Sequence, residues 1–172
     1  MGTWLYYVPY HKGSGDGYAY HGYVARVNRS DFTSSGIEYL NLADVAADLI
    51  GYWGGCSDGT YVYLSPDGHG HLVRIAADDF TSNGVTVIDL VNDVQSGMTY
   101  FISPVAYAGY VYYTPRTESP AHLTRVPLND FSASAVEYIV LTNFNQYLHS
   151  FKHLATDGVY GYLAPHPTSD TL

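Results

Sequence analysis

The sequence predicts an all-β protein built from tandem repeats. Two strong helix formers are scarce, with three Glu and two Lys in 172 residues, whereas Tyr, which favours strands, occurs 19 times. Short runs of alternating apolar residues recur along the chain, and related segments return at intervals of about 50 residues. A chain of this length is typical of a single domain, and we interpret residues 1–172 as one repeat domain.

The clearest repeated motif is Asp-Phe followed by Thr or Ser. It occurs at 31–33, 79–81 and 130–132, with an Arg five residues before each Asp. Positions that recur in every copy usually serve the packing between repeats, so we interpret these residues as structural. We expect each Arg to contact the Asp turn or a neighbouring repeat, each Phe to fill the core, and each Asp to accept backbone N–H groups in an Asx turn. The residues are Arg26, Asp31, Phe32, Arg74, Asp79, Phe80, Arg125, Asp130 and Phe131.

Proline marks a second recurring strand. Pro9, Pro66, Pro115 and Pro165 each follow a Tyr by three residues and another aromatic residue by five, which places both rings on one face of a strand. An aromatic residue 14 positions before each of the last three prolines marks a further strand. Each repeat therefore has about four strands, with approximate boundaries of 10–66, 67–115 and 116–165.

In period and strand count the chain resembles the tandem blades of β-propeller proteins. The resemblance implies three four-stranded propeller-like blades plus an extra N-terminal strand. Propellers close with about four to eight blades, so one chain would form an incomplete ring. The resemblance implies no activity, because this architecture carries many unrelated functions.

Two segments depart from the repeat. Residues 42–50 carry apolar side chains at helical spacing and are followed by Gly51, so we expect one short helix or helical turn there. Residues 11–22 are rich in Gly and predict a long loop that carries Tyr18 and Tyr20.

Composition excludes several classes of partner. The formal net charge is −9, so the basic footprint of nucleic-acid binding is missing. The sequence has no apolar run long enough for a transmembrane helix, so we expect no membrane insertion, and its first residues do not resemble a secretory signal. The single cysteine gives no information on the compartment, and we favour an extracellular or surface-exposed location.

No sequence motif for catalysis, a metal or a cofactor is present, and we expect none of the three. His69 and His71 have the spacing of two metal ligands on a strand, but the sequence places no third ligand beside them. Cys56 is interpreted as a buried, inert thiol. Aromatic and histidine residues at positions that break the repeat are the better binding candidates. They are Tyr18, Tyr20, Trp53, His69 and His71.

Three functional hypotheses remain. The first is a non-catalytic structural or scaffold protein that self-assembles into a closed ring or a filament through edge strands near residues 3–8 and 159–164. The alternative is a glycan-binding, lectin-like propeller. The third is an enzyme whose site the sequence does not reveal. The chain also fits a piece of a longer propeller.

Overall fold

The computed structural model describes residues 4–12, 19–116 and 120–165, and it confirms the predicted all-β class. Tyr18 lies outside the described residues. Fifteen strands alternate with short turns. They are β1 Trp4–Tyr7, β2 His11–Lys12, β3 Ala19–Tyr20, β4 Tyr23–Asn28, β5 Ile37–Asn41, β6 Tyr52–Ser57, β7 Tyr61–Pro66, β8 His71–Ala76, β9 Val85–Asp89, β10 Phe101–Tyr107, β11 Tyr110–Pro115, β12 His122–Pro127, β13 Glu137–Val140, β14 Phe151–Thr156 and β15 Gly161–Pro165.

The strands form four antiparallel sheets in tandem along the chain. Sheet I has the order β1-β4-β5, sheet II β6-β7-β8-β9, sheet III β10-β11-β12-β13 and sheet IV β14-β15. A separate two-residue hairpin, β2-β3, lies in the long loop of sheet I. Within each of the four sheets, the spatial order of the described strands is their order along the chain, so each sheet is a simple meander.

The structure confirms antiparallel sheets in tandem but does not confirm the predicted count of three four-stranded blades. Only sheets II and III have four strands among the described residues, while sheet I has three and sheet IV has two. The sequence repeat is offset from the sheets, because each repeat supplies the last two strands of one sheet and the first two of the next. The strands themselves are where the sequence placed them: the strands marked by proline are β1, β7, β11 and β15, and Tyr52, Phe101 and Phe151 begin β6, β10 and β14.

Consecutive sheets pack face to face and share two apolar cores. The first core joins sheets I and II through residues such as Val24, Leu40, Val62 and Leu64. The second core joins sheets II and III. It contains Tyr63, Leu72, Ile88, Leu90, Met98, Phe101, Val111, Tyr113, Val126 and Phe131. Sheet II contributes to both cores because successive side chains of a strand point to opposite faces. In β7, Leu64 enters the first core and Tyr63 enters the second.

The first strands of sheets II, III and IV lie side by side. Strand β10 packs against β6 on one side and β14 on the other. Each of these strands has a register irregularity near its start, between Tyr52 and Gly54 in β6, for example. A Cβ on Gly54 would lie only 3.0 Å from the Ser103 nitrogen, so this close approach favours glycine.

The short helix or helical turn expected at residues 42–50 is a 3₁₀ turn at Leu42–Asp44. The last strands of the next two sheets are followed by a four-residue α-helix at Leu90–Asp93 and by a 3₁₀ turn at Leu141–Asn143. The turn therefore belongs to the repeat and does not interrupt it. Among the described residues, no helix is long and apolar enough to cross a membrane.

Candidate functional site

One end of the sheets gathers residues that differ between repeats. In sheets I, II and III the loop that follows the proline-marked strand and the connection to the next sheet lie at the same end. The residue that follows the repeat proline opens the first of these loops. It is Tyr10 in sheet I, Asp67 in sheet II and Arg116 in sheet III, and the structure brings all three together.

An ion pair between a buried carboxylate and a partly exposed guanidinium forms the centre of this cluster. Asp67 is 4% exposed, and its Oδ1 accepts a hydrogen bond from Nη1 of Arg116. The Tyr20 hydroxyl donates to Oδ2 of the same carboxylate at 3.2 Å. Burial, and next the negative charge of Asp67, raise the pKa of Tyr10 and Tyr20, so both phenols stay protonated. Both oxygens of the Asp67 carboxylate therefore accept a hydrogen bond, one from Tyr20 of the β2-β3 hairpin and one from Arg116 after β11.

Aromatic rings surround this ion pair. The Arg116 guanidinium stacks over Trp53, with Cζ 4.2 Å from the ring centroid. Tyr10 meets Trp53 edge-on, with 4.8 Å between the ring centroids, and it lies 5.9 Å from the ring of Tyr20. Trp53, Tyr20 and Tyr100 are all partly open to solvent. We call Tyr10, Tyr20, Trp53, Asp67, Tyr100 and Arg116 the aromatic cluster. It offers flat apolar faces next to fixed hydrogen-bonding groups, the combination that suits stacking on a sugar ring.

The two candidate histidines lie beside this cluster and contact each other. Their rings are 5.2 Å apart, and Nε2 of His69 lies 3.3 Å from the Gly51 carbonyl oxygen. Burial lowers the pKa of His69, which favours the neutral ring. His71 lies 3.7 Å from Asp48 and 3.4 Å from Asp89. Across the described part of the chain, no three His, Cys, Asp or Glu side chains are grouped to hold a metal ion.

Cys56 lies in β6, half-buried at the edge of the second core. Burial raises the pKa of its thiol to about 12. The thiol is therefore almost fully protonated at neutral pH, which makes it a poor nucleophile.

The repeated arginines form a second kind of cluster, at the junctions between sheets. The Arg26 guanidinium lies over Trp4 of its own sheet at 4.2 Å and over Phe80 of the next sheet at 4.4 Å. Arg74 likewise lies over Tyr61 at 4.4 Å and over Phe131 at 5.1 Å. We call this arrangement the arginine clasp.

Two of the three repeated aspartates, Asp31 and Asp79, accept a hydrogen bond from a side-chain hydroxyl. The hydroxyl of Thr33 donates to Asp31 at 2.6 Å, and Thr81 donates to Asp79 at the same distance. In both motifs the donor is the hydroxyl of the residue two positions after the aspartate.

The faces of sheets I and III that lie outside the two apolar cores expose large apolar side chains. On sheet I they include Leu5, Tyr7 and Ile37. On sheet III, Leu123, Tyr138 and Ile139 line a groove of about 280 Å³. An exposed patch of this kind is typical of an interaction surface.

Sequence reasoning missed Asp67 and Arg116, the centre of the aromatic cluster. A signal was present: the residue after the repeat proline changes from Tyr10 to Asp67 to Arg116, while its surroundings repeat. The residues that recur around this position do so because they pack the repeats together. A position that differs from repeat to repeat does not share that packing role and is a candidate for a binding site.

Comparisons with protein-family models, with curated proteins and with solved structures give no match to this chain.

Proposed function

We propose that this protein is a non-catalytic scaffold of propeller-type blades that assembles with further copies through its incomplete terminal sheets. The observation that supports the proposal is the complementarity of these sheets. Sheet I has the last three strands of a blade and sheet IV has the first two. Among the described strands, β1 pairs with β4 on one side and with none on the other. Strand β14 of sheet IV corresponds to the first strand of a blade, which sheet I lacks.

The free strand edges give the assembly its driving force. Edge strands carry unpaired N–H and C=O groups that pair readily with another chain. The exposed apolar residues of the outer faces add burial, which stabilises contact by about 25 cal/mol per Å² of apolar surface.

The test is the solution mass by light scattering on a sizing column over a range of concentrations. A discrete multiple of 18.9 kDa is expected for a closed ring, and large polydisperse species for a filament. Deletion of residues 1–9, which removes β1, should abolish assembly. A wild-type chain that remains monomeric at all concentrations would refute the proposal.

Glycan binding is the second candidate function, and the aromatic cluster favours it. Trp53, Tyr20 and Tyr100 are partly exposed around the buried Asp67 carboxylate and its partner Arg116, at positions that the repeat does not fix. Sugar binding on such rings uses exposed aromatic surface beside pre-oriented polar groups, and this combination supports the candidate.

A glycan array followed by tryptophan fluorescence titration tests this candidate. Trp53→Ala should abolish binding and Trp53→Phe should retain part of it. Tyr39→Ala, which removes an exposed aromatic ring on β5 outside the cluster, is the control and should bind normally. A blank array at high protein concentration would exclude the candidate.

A further inference from the structure

The arginine clasp joins consecutive sheets in the same way twice. In both junctions an Arg on the third strand of a sheet lies between an aromatic ring of its own sheet and a Phe of the following sheet. Both phenylalanines are covered in the process: Phe80 is 9% exposed and Phe131 is 5% exposed. A cation held between two aromatic rings and shielded from water is attracted by both rings, so the clasp stabilises each junction.

The third clasp is only half formed. Arg125 stacks on Tyr110 of its own sheet at 4.3 Å and pairs with Glu137 at 2.6 Å, as Arg26 does with Trp4 and Glu38. Among the described residues, no Phe of a following sheet covers it. Its side chain is accordingly 40% exposed, against 11% for Arg26.

The missing half of a clasp is present at the other end of the chain. Phe32 holds the same repeat position as Phe80 and Phe131, yet it is 69% exposed. No described sheet precedes sheet I, so no arginine lies over this ring.

We infer that a second copy of this chain completes the clasp, with Phe32 of one copy seated on Arg125 of the other. The inference rests on the proposed self-assembly and specifies a head-to-tail contact between the outer face of sheet I and the outer face of sheet III.

The residues around the two halves support this pairing. On sheet III, Tyr112, Leu123 and Ile139 line the groove beside Arg125 and hold the repeat positions of Tyr63, Leu72 and Ile88, which are buried in the second core. On sheet I, the exposed residues Leu5 and Tyr7 hold the positions of Val111 and Tyr113, which form the opposite wall of that core. These two faces therefore carry the two halves of an interface that the chain already forms between sheets II and III, although Tyr112 and Leu123 also border a cavity shared with Leu154 and Leu163 of sheet IV.

One strand must move for the faces to meet. Strands β1 and β15 hold the same repeat position, because Pro9 and Pro165 are equivalent, so both cannot occupy the same sheet. Strand β15 pairs only with β14, and Tyr162 on it is exposed, whereas Tyr6 of β1 packs in the first core. Strand β15 therefore gives way, and β14 pairs with β1 of the second copy.

The first test is the association constant measured by light scattering or analytical ultracentrifugation. Phe32→Ala should weaken self-association by about tenfold or more, as expected for a desolvated aromatic contact. Tyr147→Ala is the control, since Tyr147 is equally exposed but its repeat counterpart Gly97 has open space around it. Unchanged association of Phe32→Ala would overturn the clasp but leave self-assembly standing.

The second test is cross-linking of two variants that keep both clasp residues. Nη1 of Arg26 lies 2.8 Å from the Ala77 carbonyl oxygen and Nη2 lies 2.7 Å from Glu38. The corresponding positions across the new contact are Arg29 of one copy and Glu137 of the other. Arg29→Cys and Glu137→Cys should therefore be joined by a short bis-maleimide when they are mixed, and neither should cross-link alone.

The outcomes separate the two proposals. Cross-linking of the mixture only supports the head-to-tail contact. Cross-linking of Arg29→Cys with itself would show a two-fold contact and overturn the inference, and so would an oligomer that gives no cross-link. A wild-type chain that is monomeric throughout would refute both the inference and the proposed function. Cys56 can be kept in these variants, because the raised pKa of its thiol slows its reaction.

Discussion

The three repeated phenylalanines provide a matched stability experiment, because one repeat position occurs in two environments. Phe131 is 5% exposed, lies 5.8 Å from the ring of Tyr63 and is stacked by Arg74. Phe32 is 69% exposed. Replacing each with alanine removes the same atoms from a closed core and from an open surface.

The expected magnitudes differ several-fold. A buried Phe→Ala substitution costs about 3 to 5 kcal/mol, because it loses the transfer free energy of the ring and leaves a cavity. For a chain of this size such a loss lowers Tm by about 6 to 20 °C. Phe32→Ala should change the free energy of unfolding of the monomer by less than about 0.5 kcal/mol, as surface substitutions do. Phe131→Leu, which keeps most of the apolar volume, should cost about 1 to 2 kcal/mol and isolates the part that depends on the ring.

The assay is urea unfolding followed by tyrosine and tryptophan fluorescence, at a dilution where light scattering gives the monomer mass. A loss below about 1 kcal/mol for Phe131→Ala would refute the argument that sheets II and III share a closed core. A loss for Phe32→Ala as large as that for Phe131→Ala would refute the open outer face. At concentrations that permit assembly, Phe32→Ala should become destabilising as well, because association stabilises the folded state by mass action.

Three further predictions concern single sites. Arg116→Ala should lower the free energy of unfolding by about 2 to 3 kcal/mol in urea titrations, because it leaves the buried Asp67 carboxylate without its charged partner; a loss within experimental error would mean that this carboxylate is not desolvated. Cys56 should react with a disulfide reagent about a thousandfold more slowly in the native protein at pH 8 than in urea, because burial raises the pKa of its thiol to about 12; equal rates would contradict its burial. Burial lowers the pKa of His69 and His122, so the unfolded chain binds protons first as the pH falls below 6.5, and this part of the stability is lost in that range. Thermal unfolding from pH 7.5 to 5 should show a smaller decrease in Tm for the His69→Gln, His122→Gln double variant than for the wild type, and an equal decrease would contradict it.

Local patterns predicted most of the strands. The aromatic residues three and five positions before each proline alternate with a period of two, which only an extended strand places on one face. Tyr52, Phe101 and Phe151 begin their strands as expected. The apolar spacing at 42–50 predicted a short helix or helical turn, and the structure forms the turn at Leu42–Asp44. Leu42 of this turn and Leu49 of the loop after it both enter the first core, which accounts for the rest of the helix-like spacing.

The sequence by itself determined the all-β class, the positions of the strands and the repeated arginine, aspartate and phenylalanine residues, because each depends on spacing within a few residues. The tertiary structure alone decided how the strands divide among sheets, since pairing partners are chosen by contacts between distant segments. It also brought Asp67 to Arg116 across 49 residues of sequence. It left Phe32 and the Arg125 side chain exposed in the first and third sheets. The reason is that burial depends on which sheet lies next to a residue and not on the residue's position in the repeat.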